Sequence, residues 1–242
     1  MVSAKLREAR RWLKLGKGFI KSRNRYLSGE LKHTTLEDIV PRLIDENYSL
    51  YYPNKVNLIG HSFGGMVALR YALDHPDEIG NVVTIASAYN GTTGIYWQNL
   101  MRFAGLYDSR LYGQLLPSGG FVSRLGEKIR NNWSGFESED VLLTNIIATA
   151  DEFVKPKDVT LRPIVGYSRS LFETGVPEGH CEAAFNPVTI QNIRFALRNG
   201  LPTIALHPIM YDSSFFDDIK NKLVPTQAKR IVAIDYDYVT VQ

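Results

Sequence analysis

A single cysteine, Cys181, among 242 residues excludes an internal disulfide framework and is compatible with a reducing compartment. Long apolar runs are missing too. No stretch is long enough to span a bilayer, and no hydrophobic signal-peptide core follows Met1, so cytoplasmic residence is the expectation. Acid is almost absent from residues 1–26, where Glu8 stands alone against Lys5, Arg7, Arg10, Arg11, Lys14, Lys17, Lys21, Arg23 and Arg25. The segment carries +8 in a chain whose total is +3, so the remainder is net acidic. With Leu6, Trp12, Leu13, Leu15 and Ile20 interleaved, three readings stay open: a basic amphipathic helix making a peripheral membrane contact, a solvated terminal arm, or a mitochondrial presequence. No second basic cluster or aromatic stacking platform accompanies it, which argues against a nucleic-acid partner.

What is present suits one substantial core. Hydrophobic residues make up 44% of the chain, enough for a basic arm at 1–34 followed by a single α/β domain at 35–242. Thr35 to about Leu50 has helical spacing, with Pro41 inside it as a kink or a first turn. Lys55–Ile59 reads as a buried strand, Phe63–Ala72 as a helix, and Asn81–Ala86 as the next strand. An aromatic-rich helical stretch runs from Ile95 to about Trp133, broken at Pro117-Ser118-Gly119-Gly120. Leu143–Thr149 and Leu161–Val165 are expected as further strands, and Pro187–Leu197 as a helix ended by Asn199-Gly200. Such alternation predicts a mostly parallel sheet flanked by helices on both faces.

Ser62 lies in Gly60-His61-Ser62-Phe63-Gly64-Gly65, between the strand ending at Ile59 and the helix beginning at Phe63. A Gly-x-Ser-x-Gly turn in that context lifts a serine oxygen above the sheet edge, at a helix N-terminus able to hold an oxyanion. Serine needs a base, and the base an orienting acid. Asp151 closely follows the 143–149 strand, and His180 comes 29 residues later, leaving room for one strand and one loop. Glu152 is the alternative acid, though expected to point elsewhere. His61 is expected to be locked inside the turn, His75 to cap carbonyls at the far end of the helix, and His33 to precede the sheet. Cys181 reads as a small packing residue.

These residues make the chain resemble an α/β-hydrolase of the lipase and esterase group, strongly over Lys55–Ala88 and well over Thr144–Leu197. The resemblance implies the α/β-hydrolase fold, with Ser62 as nucleophile, His180 as base, Asp151 as acid and the Phe63 N–H as one oxyanion donor. It implies no metal or organic cofactor. In that family a strand ending in His-Gly lies upstream of the nucleophile, and residues 1–54 contain none. A comparable block sits instead at Thr203–Phe216, where an apolar strand leads into His207-Pro208-Ile209, followed by a helix at Phe216–Leu223 and a strand at Arg230–Tyr236. It is similar to the opening unit of small bacterial lipases. A circular permutation is therefore expected, with the family's ends joined at Asn199-Gly200-Leu201-Pro202 and residues 203–242 supplying the oxyanion unit. Ile209 would give the second oxyanion N–H, with Pro208 in the place of the usual glycine. The expected sheet order is the 230s strand, 203–207, 55–59, 81–86, 143–149 and 161–165. A strand swap that makes a dimer, and a tail packed by accident, are the rival readings. The insertion at about 92–140 stands where the family carries its lid, so Trp97, Met101, Phe103 and Leu116 are candidate acyl-binding residues, with ordinary core packing as the alternative. The expected activity is hydrolysis of carboxylic esters, lipids included, with apolar acyl groups. Thioesterase or acyltransferase chemistry and a catalytically inactive binding protein remain alternatives.

Overall fold

Strand β1, Val56–His61, is buried at every position, as a strand covered on both faces must be. The computed structural model describes residues 55–92, 98–99, 113–206 and 213–234. Within these, β1 is followed by β2 (Ile79–Ile85), β3 (Leu142–Ala148), β4 (Leu171–Val176), β5 (Thr203–Leu206) and β6 (Ile231–Ile234). All neighbouring pairs are parallel, in the order β4-β3-β2-β1-β5-β6. A parallel sheet needs crossovers on its faces, and the alternation of side chains along each strand supplies both with apolar surface.

On one face Leu58, Val82, Leu143, Ile204 and Leu206 pack beneath helices α1 (Phe63–Asp74) and α2 (Gly120–Ser138). The buried residues of α2 are Phe121, Val122, Leu125, Ile129, Trp133 and Phe136, a stripe of mostly fourth-residue steps. On the other face Ile59, Val83, Ile85, Ile146 and Ala205 meet Ile190 and Ile193 of the helix at Pro187–Ala196, together with Phe216, Ile219 and Leu223. The 187–196 helix starts with Pro187 in its first turn, and the Asn186 side chain caps it by accepting from the Val188 N–H. It ends through a tight turn at Leu197–Asn199 and Gly200, whose φ of 81° is left-handed.

Several boundaries differ from expectation. Leu161–Val165 is not a strand: Arg162–Val165 is a short helix with Pro163 in its first turn, where the missing N–H is harmless. The fourth strand is Leu171–Val176 instead. Gly120 opens α2 rather than extending the break before it, and α2 runs on to Ser138. The 216–223 helix resolves into a 3-10 turn at Ser213–Phe216 and one short helix at Asp217–Lys220, with another at Pro225–Ala228. The arm at 1–34, the 35–50 helix and most of the 92–112 stretch lie outside the described residues.

The late strands pair within this chain's own sheet. β5 lies between β1 and β6, and all four of its residues are buried. The segment that leads into it is held by asparagines at the lower end of the sheet. Asn199 Nδ2 donates to Asn57 Oδ1 at 2.9 Å, Asn57 Nδ2 donates back to Asn199 Oδ1 at 3.0 Å, and the Asn81 N–H donates to Asn57 Oδ1 at 3.1 Å. Among the described residues no helix is long and apolar enough to cross a membrane.

Candidate active site

Three parallel strands deliver the three expected residues to one end of the sheet: Ser62 follows β1, Asp151 follows β3, and His180 follows β4. The carboxyl ends of parallel strands form the edge where such sheets build their sites. Ser62 sits at φ 56°, ψ −122°, a conformation that costs a non-glycine residue about 1–3 kcal/mol and persists only where its surroundings enforce it. Here the Ser62 N–H donates to the Ile85 carbonyl at 2.7 Å, and the Ser62 carbonyl accepts from the Gly65 N–H at 3.1 Å.

Sterics explain two glycines of the turn. A Cβ at Gly60 would lie 2.4 Å from the Gly64 oxygen and the Gly65 backbone, and one at Gly65 would lie 2.0 Å from Ser87 Oγ. The strand and helix thus touch backbone to backbone. The second close approach belongs to Gly65, one residue beyond the five-residue motif.

The structure brings Ser62, His180 and Asp151 together. Ser62 Oγ is 2.8 Å from His180 Nε2, and His180 Nδ1 is 2.7 Å from Asp151 Oδ2. Asp151 Oδ1 accepts from the Phe153 and Val154 N–H groups, both at 2.8 Å. The carboxylate is fully buried and the imidazole nearly so, which strengthens each of these contacts relative to water. With the acid at Nδ1, the imidazole carries its proton there and leaves Nε2 free to accept from the Ser62 hydroxyl. The arrangement is chemically able to activate a serine.

The loop that carries Asp151 is fixed to its neighbours. Thr92 Oγ1 donates to the Phe153 carbonyl at 2.8 Å, and the Asn90 N–H donates to the Asp158 carbonyl at 3.0 Å. Asn145 Nδ2 donates to the Val159 carbonyl at 3.0 Å and to Glu173 Oε1 at 2.8 Å, while Glu173 Oε1 also accepts from the Leu161 N–H at 2.7 Å. Beside this network, burial pushes the Tyr89 phenol well up, so Tyr89 packs as a neutral side chain.

Two contacts were not anticipated. Glu152 does not point away from the site: its Oε2 accepts from the His180 N–H at 3.2 Å. His61, as expected, does not bond Ser62, but its Nε2–H donates to the His180 carbonyl at 2.8 Å. Two polar side chains adjoining Ser62 and Asp151 were the only sequence signal for these contacts. His75 donates its own N–H to the Tyr71 carbonyl and stacks on the Tyr71 ring, remote from the site.

Phe63 opens α1, its ring buried and 6.3 Å from that of Phe121. Leu116 is half-buried in the turn before α2, which packs against Gly91. Trp97, Met101, Phe103 and Ile209 lie outside the described residues. Among the described residues no group of three His, Cys, Asp or Glu side chains is placed to hold a metal ion.

A family model described as the alpha/beta hydrolase fold matches residues 40–157. Homoserine O-acetyltransferase of Pasteurella multocida (strain Pm70) is 31% identical over 91 residues, which is 37% of this chain. The match spans only 25% of that relative's length. Among solved structures, a monoacylglycerol lipase of Paleococcus ferrophilus is similar at a TM-score of 0.42 and 19% identity, over 61% of this chain and 68% of that one. The Bacillus licheniformis lipase BlEst2 matches at a TM-score of 0.42 and 15% identity, over 58% and 64%.

Proposed function

The chain belongs to the α/β-hydrolase superfamily, and we propose that it is a serine hydrolase cleaving carboxylic esters with apolar acyl groups. The observation that carries this reading is the relay from Ser62 Oγ through His180 to a buried Asp151, with contacts of 2.8 and 2.7 Å. In the proposed reaction Ser62 Oγ attacks the ester carbonyl while His180 Nε2 takes its proton. Asp151 holds the resulting imidazolium. The oxyanion is received by the Phe63 N–H and, from the segment after β5, the Ile209 N–H, each donor contributing typically a few kcal/mol. His180 then protonates the leaving alcohol, and a water activated by the same base hydrolyses the acyl-enzyme and restores Ser62.

The circular permutation belongs to this reading, because it brings residues 203–242 to the nucleophile. Support comes from β5, which lies beside β1 although it follows His180 in the chain. Trp97, Met101, Phe103 and Leu116 are the proposed acyl contacts. Peripheral membrane contact through residues 1–26 remains a proposal of the same kind.

A fluorophosphonate probe tests the reaction class. Labelling of the wild type and none of Ser62→Ala is expected; well-folded wild type that resists labelling would sink the enzyme assignment. Esters of graded acyl length then read the chain-length preference.

A second reading is transfer of the acyl group to an alcohol instead of water, favoured by the local match to an O-acetyltransferase. A new ester formed faster than free acid when an acceptor alcohol is supplied would decide for it.

A further inference from the structure

The main chain of His180 is gripped on both sides by residues adjoining its two side-chain partners. Its carbonyl accepts from His61 Nε2–H at 2.8 Å, and its N–H donates to Glu152 Oε2 at 3.2 Å. His61 is fully buried, and its ring lies 4.9 Å from the His180 ring and 4.9 Å from that of Phe215. Phe153 closes the other side of the imidazole, edge-on at 5.5 Å. Gly179 leaves the path for Glu152 open: a Cβ there would stand 2.9 Å from Glu152 Oε2.

Imidazole–serine geometry is set by main-chain placement as much as by side-chain contacts, because a shift of the loop moves Nε2 with it. Loops that follow a sheet edge are the mobile part of such a site. We propose that His61 is a positioning residue that fixes the height of His180 over Ser62, with Glu152 as a weaker second anchor. The inference rests on the assignment of Ser62 and His180 made above.

The weighting follows from solvent. The His61 contact is short and closed to water, so its loss is uncompensated. Glu152 is an exposed residue, its contact is longer, and water replaces it readily. His61 belongs to β1 and is held by the strand that aims Ser62, so nucleophile and base move as one unit. The same residue touches Phe215, which brings the turn after β5 into that unit.

The test uses the full chain with three substitutions. His61→Phe keeps a ring in the stack and removes the donor; His61→Gln restores an N–H at nearly the same reach; Glu152→Ala removes the second anchor. Fluorophosphonate inactivation separates binding from the chemical step. For His61→Phe the chemical rate constant should fall by about 30- to 100-fold, as expected for a misplacement of about 1 Å, with probe binding changed less than about twofold. His61→Gln should recover to within about fivefold of wild type, and Glu152→Ala should lose no more than about fivefold. His61→Phe within about threefold of wild type, or His61→Gln no better than His61→Phe at equal thermal midpoint, overturns the proposal. Should His61→Phe fail to fold, His61→Asn, polar but too short to reach, takes its place. A strongly deshielded proton resonance is expected of His180 Nδ1–H, 2.7 Å from Asp151 Oδ2, and reads the base geometry without turnover. Unlabelled wild type that shows the resonance, lost in His61→Phe and kept in His61→Gln, would refute the hydrolase and leave the positioning role standing. A resonance unchanged by His61→Phe would refute the positioning role alone.

Discussion

Replacing Asp151 by Asn removes one charge and keeps the shape, and the neighbouring amides decide the consequence. The oxygen facing Phe153 and Val154 accepts two N–H groups at 2.8 Å within a fully buried side chain. A carboxamide placed there must turn its oxygen toward those amides, since the opposite orientation would set NH₂ against two buried donors, at about 1–3 kcal/mol each. Its NH₂ group is then directed at His180 Nδ1, which stands 2.7 Å from the acid in the native site. Nδ1 must become an acceptor, so the imidazole proton moves to Nε2, the atom that receives the proton of Ser62 in the proposed reaction.

Restoring the useful tautomer sets two donors against each other or forces the amide to flip, at a cost of about 2–6 kcal/mol in all. At about 1.36 kcal/mol per factor of ten, that is about 30-fold to 10⁴-fold in the chemical step. The fold should change little, because shape and both amide contacts are conserved. Ester turnover and fluorophosphonate inactivation, measured with the thermal midpoint, provide the assay. Glu152→Gln is the control and should stay within about fivefold of wild type, because a carboxamide oxygen still accepts from the His180 N–H. Asp151→Asn within about tenfold of wild type would refute the tautomer argument, and a larger loss in Glu152→Gln would transfer the acid role to Glu152.

The remaining predictions concern the turn and the late strands. Gly65→Ala puts a methyl 2.0 Å from the buried Ser87 Oγ and should cost about 1–3 kcal/mol in denaturant unfolding, with loss of labelling at Ser62. Gly135→Ala, where the added Cβ meets nothing within 4 Å, should stabilise α2 by about 0.5–1 kcal/mol. Equal effects at the two glycines would refute the steric account of the turn. Removing residues 203–242 strips β5 from beside β1 and should abolish cooperative unfolding; a stable 1–202 fragment would rule out the permuted assembly.

The parts legible from sequence share a local cause. Val56–His61, the turn at Ser62 and the helix after it declare themselves within twenty residues, because burial on both faces and backbone contact each restrict the residue types at adjacent positions. β4 was illegible for the opposite reason. It is an edge strand with buried residues only at its two ends, Leu171 and Val176, and a half-exposed Phe172 between them. Its Glu173 is consumed by Asn145, Thr160 and the Leu161 N–H. Leu161–Val165 reads as more strand-like because Leu161, Ile164 and Val165 are apolar, although Pro163 can give nothing to a ladder. The contacts of His61 and Glu152 are not legible in the sequence because they fall on main-chain atoms of His180, 119 and 28 residues away, and no spacing rule encodes such a partner.

Position along the chain is thus a poorer guide to this site than position in the sheet. Ser62, Asp151 and His180 meet because each follows a strand, and strand ends of a parallel sheet share an edge whatever order the chain visits them in. What a change of order must preserve is pairing at the sheet's centre, and there β1 has β2 on one side, paired from Leu58 to His61, and β5 on the other, paired from Asn57 to Gly60. The asparagine cluster of Asn57, Asn81 and Asn199 sits where the proposed joint enters β5, remote from the site and buried at Asn57. Asn57 accepts from the Asn81 N–H of the strand beside it and exchanges hydrogen bonds with Asn199 of the segment that leads into β5. A joint held by side-chain hydrogen bonds to β1 is an ordered part of the sheet's lower edge, and through it the late strand is locked to the strand that carries Ser62.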